Sequence, residues 1–265
     1  AVYTRRIAKA LKVVGLVNIQ YAFDGNRIYV IEVNPRASRT VPILSKVTGV
    51  PMVKLAVAAL LGKKLKDFSY GTGTYRKSSI YSVKVPVFSS EKLTDMDIAL
   101  GPEMKSTGEV LGLDSSLDRA FYKGFLAAGM DIPTEGNIFV TLRESELTEY
   151  SAEILKEYID AGFEIYVSPD NLDFARKYDV CARVMTYETA IARIKSHEER
   201  ADRNVAMVFN VPEIANSKKN DSFPLRRAAV EKGVTVMTCM DTAKAFLRAV
   251  KLKQEEAKLQ YNRLF

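Results

Sequence analysis

The sequence predicts an α/β protein in two parts: an α+β segment organised around an antiparallel hairpin, then a small doubly wound domain with a parallel sheet. Three observations carry that expectation. Strand patterns at residues 17–23 and 28–34 are separated only by Asp24-Gly25-Asn26-Arg27, a turn sequence of hairpin length. From residue 138 onward, short apolar runs alternate with amphipathic ones, the rhythm of a parallel sheet covered on both faces. Between the parts lies "GMDIPTEGN", residues 129–137, whose Gly and Pro read as a linker, so the expected domains are 1–131 and 132–265.

Each element has its own local signal. Residues 1–14 show a helical period closed by Gly15. Residues 40–48 and 52–61 read as short helices, interrupted by Gly49-Val50-Pro51 and ended by Gly62. Residues 63–80 turn to Lys, Gly, Ser, Thr and Tyr, a surface connection. "IYSVKVPVF", residues 80–88, is a strand, and "GPEMKSTGEVLGL", residues 101–113, is a loop passing into a short apolar segment. A helix follows over 117–128. In the second part, strands are expected over 138–142, 164–167, 181–185, 205–209 and 234–238. Helices are expected over 146–161, 172–178, 187–199, 224–232 and 242–253. Five such strand–helix units make one doubly wound domain.

Composition narrows the chemistry. The chain has 265 residues, 47% apolar and 27% charged, ordinary values for a soluble globular protein of two cores. No apolar run approaches the ~20 residues of a membrane span. The opening helical pattern carries Arg and Lys and does not begin with Met, so a piece of a longer polypeptide is expected, without a signal peptide. Cys181 and Cys239 sit in apolar, strand-like surroundings and are expected as buried thiols of a reducing cytoplasm. His197 is the sole histidine and lies in the charged stretch "IKSHEER". Ser-His-Asp and Cys-His catalysis and multi-histidine zinc sites are thereby excluded. Residues 1–131 carry 19 Lys/Arg against 11 Asp/Glu, net +8, whereas residues 132–265 carry 20 against 21. A local excess of that kind suits an anionic ligand such as phosphate better than a nucleic-acid surface.

The hairpin carries the chemical signal. Odd positions from Val17 to Phe23 and from Tyr29 to Val33 are apolar, whereas Asn18, Gln20, Glu32 and Asn34 are even. Period-two alternation makes one face core and the other polar, and the two polar sets meet if the loop has an odd number of residues, three for example. Gln20, Glu32 and Asn34 then offer oxygen donors for magnesium held jointly with nucleotide phosphates. Arg36 and Arg39 follow, and guanidinium forks match planar anions. The alternative is a solvated hairpin face with a surface ion pair.

"IEVNPRASRTVPILSKVTGVP" resembles the carboxy-terminal part of an ATP-grasp domain in the carbamoyl-phosphate synthase large-subunit family, and "GPEMKSTGEVLG" resembles that family's second, carbamoyl-phosphate-forming half. The following sheet-and-helix unit is similar in placement to the methylglyoxal synthase-like allosteric domain. The resemblance implies that Gln20, Glu32 and Asn34 bind Mg2+ or Mn2+ at the second ATP site. It implies that Arg36 and Arg39 contact phosphate and the anionic substrate. The implied reaction phosphorylates carbamate with ATP. Bicarbonate and ammonia are the starting materials, the ammonia coming from a glutaminase subunit or domain, and the upstream remainder of the large subunit is a further partner. Pyrimidine and arginine synthesis are the implied pathways, with no nucleic-acid or membrane partner. Glu103, Lys105 and Glu109 read as a structural ion-pair cluster in the "GPEMKSTGEV" loop, with direct catalysis as the alternative. Other readings are a regulatory binding module, another ATP-grasp carbon–nitrogen ligase, or a methylglyoxal synthase, the last weakened by the histidine count.

In a doubly wound sheet, ligands bind beyond the carboxyl ends of the strands. That rim includes Ser168-Pro169-Asp170-Asn171 and Asn210-Val211-Pro212, making Ser168, Asn171 and Asn210 candidate effector contacts. Family members that bind nucleotide monophosphates look rich in Thr and Lys there. Here Pro169 and Pro212 lack a backbone donor, and Asp170, otherwise a helix N-cap, carries the wrong charge.

Overall fold

The computed structural model describes every residue except 72, 74–78, 90–96, 100–103, 197–204, 213–221, 263–265 and the side chains of 257–262. Glu103 and His197 lie outside the described residues. By packing, the chain forms two compact units, Ala1–Ser82 and Val83–Phe265.

The first unit runs α1 (Val2–Ala10), β1 (Asn18–Phe23), β2 (Ile28–Asn34), α2 (Val41–Thr48) and α3 (Met52–Leu60). Gly49 ends α2 in the left-handed region, φ 69°, where a side chain would be strained, so the chain turns sharply into α3. Thr4 Oγ1 and Tyr21 OH, 2.9 Å apart, tie α1 to β1. The apolar odd face of the hairpin was expected to be core, and here the structure differs. Phe23 is 69% exposed and Ile31 64%, and Val41 is the one buried residue among the described residues of this unit. Ile19, Tyr21 and Val33, on the side away from the turn, are half-buried, whereas the two-stranded ribbon has no further strand to cover the rest.

In the second unit, β3 (Tyr81–Val87) and β4 (Gly108–Asp114) pair, and α4 (Leu117–Ala127) packs on β4. The apolar segment after "GPEMKST" is thus a strand. A Cβ on Gly112 of β4 would lie 2.0 Å from the Ala120 carbonyl oxygen, so only glycine admits this close approach of strand and helix. Residues 129–137 are not a free linker. Asp131 O accepts from Thr235 Oγ1 at 2.6 Å, Ile132 O from Lys253 Nζ at 2.5 Å, and Thr134 O from Gln254 Nε2 at 2.6 Å. The Gly and Pro bend the chain, but Ile132 is buried and its neighbours' carbonyls are caught by side chains from the sheet and the last helix.

The parallel sheet contains β5 (Gly136–Leu142), β6 (Phe163–Val167), β7 (Ala182–Val184), β8 (Val205–Val211) and β9 (Thr235–Met237) in the order β7-β6-β5-β8-β9. The helices α5 (Glu149–Asp160), α6 (Leu172–Lys177), α7 (Tyr187–Ser196), α8 (Ser222–Glu231) and α9 (Met240–Asn262) cover it. Ile138, Val140, Ile165, Met207 and Phe209 join α5 and α9 in one core, while Phe139, Tyr166 and Val208 join α7 and α8 in the other. The winding reverses between β5 and β8, which opens a crevice beyond their carboxyl ends. Cys181 and Cys239 are exposed, not buried. They flank β7 and β9, three-residue edge strands that end before either thiol enters the core. Among the described residues no single helix is long and apolar enough to cross a membrane.

Candidate functional site

The hairpin reaches the expected polar face by an unexpected route. Its loop has four residues, since Phe23 pairs with Ile28, and an even loop alone would put Gln20 and Glu32 on opposite faces. A β-bulge corrects the parity. Tyr21 pairs with Val30 but Gln20 pairs with Glu32, so Ile31 is one extra residue on β2. The loop is built by Asp24, whose carboxylate accepts from the amides of Asn26 at 2.9 Å and Arg27 at 2.7 Å. Bonds from Arg27 first, then Asn26, hold that carboxyl below its ordinary value of 3.8.

Three side chains then converge on one oxygen. Gln20 Nε2 donates to Glu32 Oε1 at 2.6 Å, and Asn34 Nδ2 donates to the same atom at 2.8 Å. A half-turn of either terminal amide presents its carbonyl oxygen instead, giving two neutral oxygens and one carboxylate around a common point. That donor set fits a hard divalent cation. Among the described residues no three His, Cys, Asp or Glu side chains form a metal group, so phosphate oxygens would have to complete the shell. Arg36 and Arg39 lie exposed in the loop between β2 and α2, with Arg36 NH1 donating to Ala37 O at 3.0 Å.

A second candidate site opens at the sheet's switch point. It is a cavity of about 310 Å3 lined by Thr141 near the end of β5 and Arg143 just after it, Asp170 and Asn171 after β6, Tyr187 on α7, Asn210 and Pro212 at the end of β8, and Ser222. Thr141 Oγ1 and Tyr187 OH lie 2.5 Å apart. Arg143 donates to Glu146 Oε1 at 3.1 Å, and Glu144 and Asp170 add two carboxylates to the rim. Asp170 does not cap α6, whose N-cap is Asn171, without a side-chain cap bond. Asn171 instead clamps β5, its Oδ1 accepting from Leu142 N at 2.6 Å and its Nδ2 donating to Leu142 O at 3.0 Å. Ser168 is fully buried, and its Oγ has no hydrogen-bond partner among the described residues.

Asn210 leads to a group that sequence reasoning missed. Arg226 on α8 is 1% exposed; its NH1 donates to Asn210 Oδ1 and, at 2.9 Å, to Ser222 Oγ. Its Nε and NH2 grip Asp97 Oδ1 and Oδ2 at 2.7 and 2.5 Å. Burial would push the Asp97 carboxyl up, but bonds from Arg226 and the Ala99 amide, with the charges of Arg226 and Lys105, hold it below 3.8. Lys105 Nζ donates to the carbonyls of Asp97 at 3.0 Å and Ala99 at 2.6 Å, and Glu109 accepts from Lys84 at 3.2 Å. Lys105 and Glu109 thus also reach partners beyond the loop cluster expected for them, whose Glu103 lies outside the described residues.

Comparison with known proteins agrees with the family resemblance. Residues 2–68 match the family model described as the carbamoyl-phosphate synthase L chain, ATP binding domain. The carbamoyl phosphate synthase large chain of Clostridium acetobutylicum is 50% identical over 260 residues, covering 98% of this chain and 24% of that protein. Its counterparts in Thermoanaerobacter sp. and Clostridium perfringens are 45% and 40% identical over 94% and 96% of this chain. The chain spans about a quarter of the length of these relatives. With half its residues shared across nearly its whole length, and an ATP-binding-domain match that contains the hairpin, the chain is similar from end to end to about a quarter of a carbamoyl phosphate synthase large chain.

Proposed function

We propose that this chain is the part of a carbamoyl phosphate synthase large chain that completes its second ATP site and carries its regulatory domain. Residues 1–131 would belong to the carbamoyl-phosphate-forming half and residues 132–265 to a methylglyoxal synthase-like domain. The observation that carries the reading is the convergence of Gln20 and Asn34 on one oxygen of Glu32 inside the segment that matches the ATP-binding domain. Bound Mg2+ or Mn2+ would screen the triphosphate there and lower the cost of charge moving to the transferred phosphoryl. Gln20, Glu32 and Asn34 would hold that cation by oxygen. Arg36 and Arg39 would orient carbamate, itself made from bicarbonate and ammonia, and balance its charge. Ammonia would come from a glutaminase partner, in the cytoplasm, for pyrimidine and arginine synthesis.

The test compares the whole polypeptide with residues 1–265 by themselves. The whole protein should form carbamoyl phosphate from ATP, bicarbonate and ammonia. The 265 residues should not, because metal ligands without the lobes that grip the nucleotide cannot position the reacting group. Turnover by the isolated chain, or none by the whole protein, would overturn the proposal.

The switch-point cavity supports a departure within the family. Its rim sets Arg143 against Glu144 and Asp170, Pro212 lacks an amide donor, and the Asn171 carboxamide is occupied by Leu142. A doubly charged phosphate is poorly served by that lining. Calorimetric titration of the chain with UMP or IMP should show no micromolar binding. A micromolar isotherm for either nucleotide would remove this claim and leave the hairpin reading standing.

A further inference from the structure

Arg226 joins two places in the second unit. Its NH1 donates to Asn210 Oδ1 and Ser222 Oγ, which both line the switch-point cavity. Its Nε and NH2 form a two-pronged pair with Asp97, and the two side chains are 1% and 4% exposed. Asp97 in turn accepts from the Ala99 amide at 3.0 Å, and Lys105 fastens the carbonyls of Asp97 and Ala99 from the other end of the loop. Two residues beyond Lys105, Thr107 N donates to Val87 O at 2.8 Å, joining the loop to the β3–β4 ribbon. A guanidinium is planar and rigid, so what holds one edge fixes the direction of the other.

We infer that Arg226 is a relay between the cavity and the segment around Asp97, and that the cavity is its input. A small uncharged or cationic ligand, presenting a hydroxyl or amine, would donate to Asn210 Oδ1 or Ser222 Oγ and compete with NH1. The guanidinium plane loses its fixed edge, its grip on Asp97 slackens, and residues 104–107, held to Asp97 and Ala99 through Lys105, loosen with it. A ligand that makes no contact with Asn210 or Ser222 leaves the segment unchanged, since a site can shift an equilibrium only through differential contacts. Among the described residues, the groups bonded to Arg226 and Asp97 are Asn210, Ser222, the Ala99 amide and Lys105. None of them belongs to the proposed metal site, so the relay concerns regulation and not phosphoryl transfer.

Substitution at the cavity wall imitates the ligand. Hydrogen exchange of the whole 265-residue chain is followed by mass spectrometry in the wild type, Ser222→Ala, Ser222→Thr and Asn210→Leu. Losing one hydrogen bond to a charged donor should speed exchange at Ala99 and across residues 104–107 by about tenfold, with β5 and β6 unchanged. Ser222→Thr keeps the hydroxyl and should restore the wild-type rate. In an Asp97→Asn background the Ser222→Ala change should add nothing at 104–107, because the grip it acts through is already weakened. Faster exchange confined to α8 and the cavity rim, with residues 99–107 unaltered, would overturn the relay. So would a uniform rise over the whole unit that Ser222→Thr does not reverse. Neither result touches the carbamoyl phosphate assignment, which is read by turnover.

Discussion

Glu32→Gln in the whole polypeptide should lower carbamoyl phosphate formation by about 10²–10³-fold, the range for losing one group that balances charge at a reacting centre. Glu32 supplies the single carboxylate of the Gln20, Glu32 and Asn34 set, and both amides already donate to its Oε1. A glutamine there keeps the shape but replaces the one charged oxygen ligand by a neutral one, which binds a divalent cation more weakly. The side chain is exposed on a two-stranded ribbon, so stability should change by no more than about 0.5 kcal/mol. Activity and denaturation curves measured on the same preparation separate the two effects. Partial recovery at raised Mg2+ would be the expected signature of a weakened cation site. Near-normal turnover at ordinary Mg2+ would return Glu32 to a solvated hairpin face.

Arg226→Met should be the most destabilising of the substitutions considered, costing about 3–5 kcal/mol by leaving a buried carboxylate without its partner. Converting both members, Arg226→Met with Asp97→Leu, should recover most of that loss, because the double variant buries no charge. Urea denaturation of the four members of the cycle at pH 7 measures the coupling. The pair also sets an acid limb. The Asp97 carboxyl lies lower when folded than when unfolded, so its contribution is present above the unfolded value near 3.8 and is lost as pH falls through the folded value. The wild type should therefore weaken below about pH 4 more steeply than the double variant. A cycle with no coupling would mean that the pair is solvated in solution.

Local pattern made the parallel domain legible in the sequence. The strands β5, β6 and β8 centre on apolar runs, Ile138–Val140, Ile165–Val167 and Met207–Phe209, buried on both faces, and such runs announce themselves without knowledge of their neighbours. The polar face of the hairpin was equally readable from residue types. What sequence could not supply was anything set by a distant partner. The apolar odd face of β1 and β2 looked like core because alternation reports what a strand could bury, not whether a second layer is there. The segment 129–137 looked like a linker because Gly and Pro record a bend, whereas its anchoring depends on Thr235, Lys253 and Gln254, more than a hundred positions away. Asp97 and Arg226 are 129 positions apart, and neither carries a local mark of its pairing.

The extra residue at Ile31 has a consequence for how this ribbon can change through descent. Eleven residues separate Gln20 from Glu32: three paired on each strand, four in the turn and one at the bulge. Losing Ile31 would leave a regular ladder in which Gln20 still faces Glu32 across the same turn. Losing one turn residue would shorten the loop to three and leave the same pairs in place. The bulge is therefore slack in the ribbon: single-codon changes in the turn or at Ile31 can be absorbed without parting the donor set, and the hairpin's length should be free to drift where its three ligand positions are not.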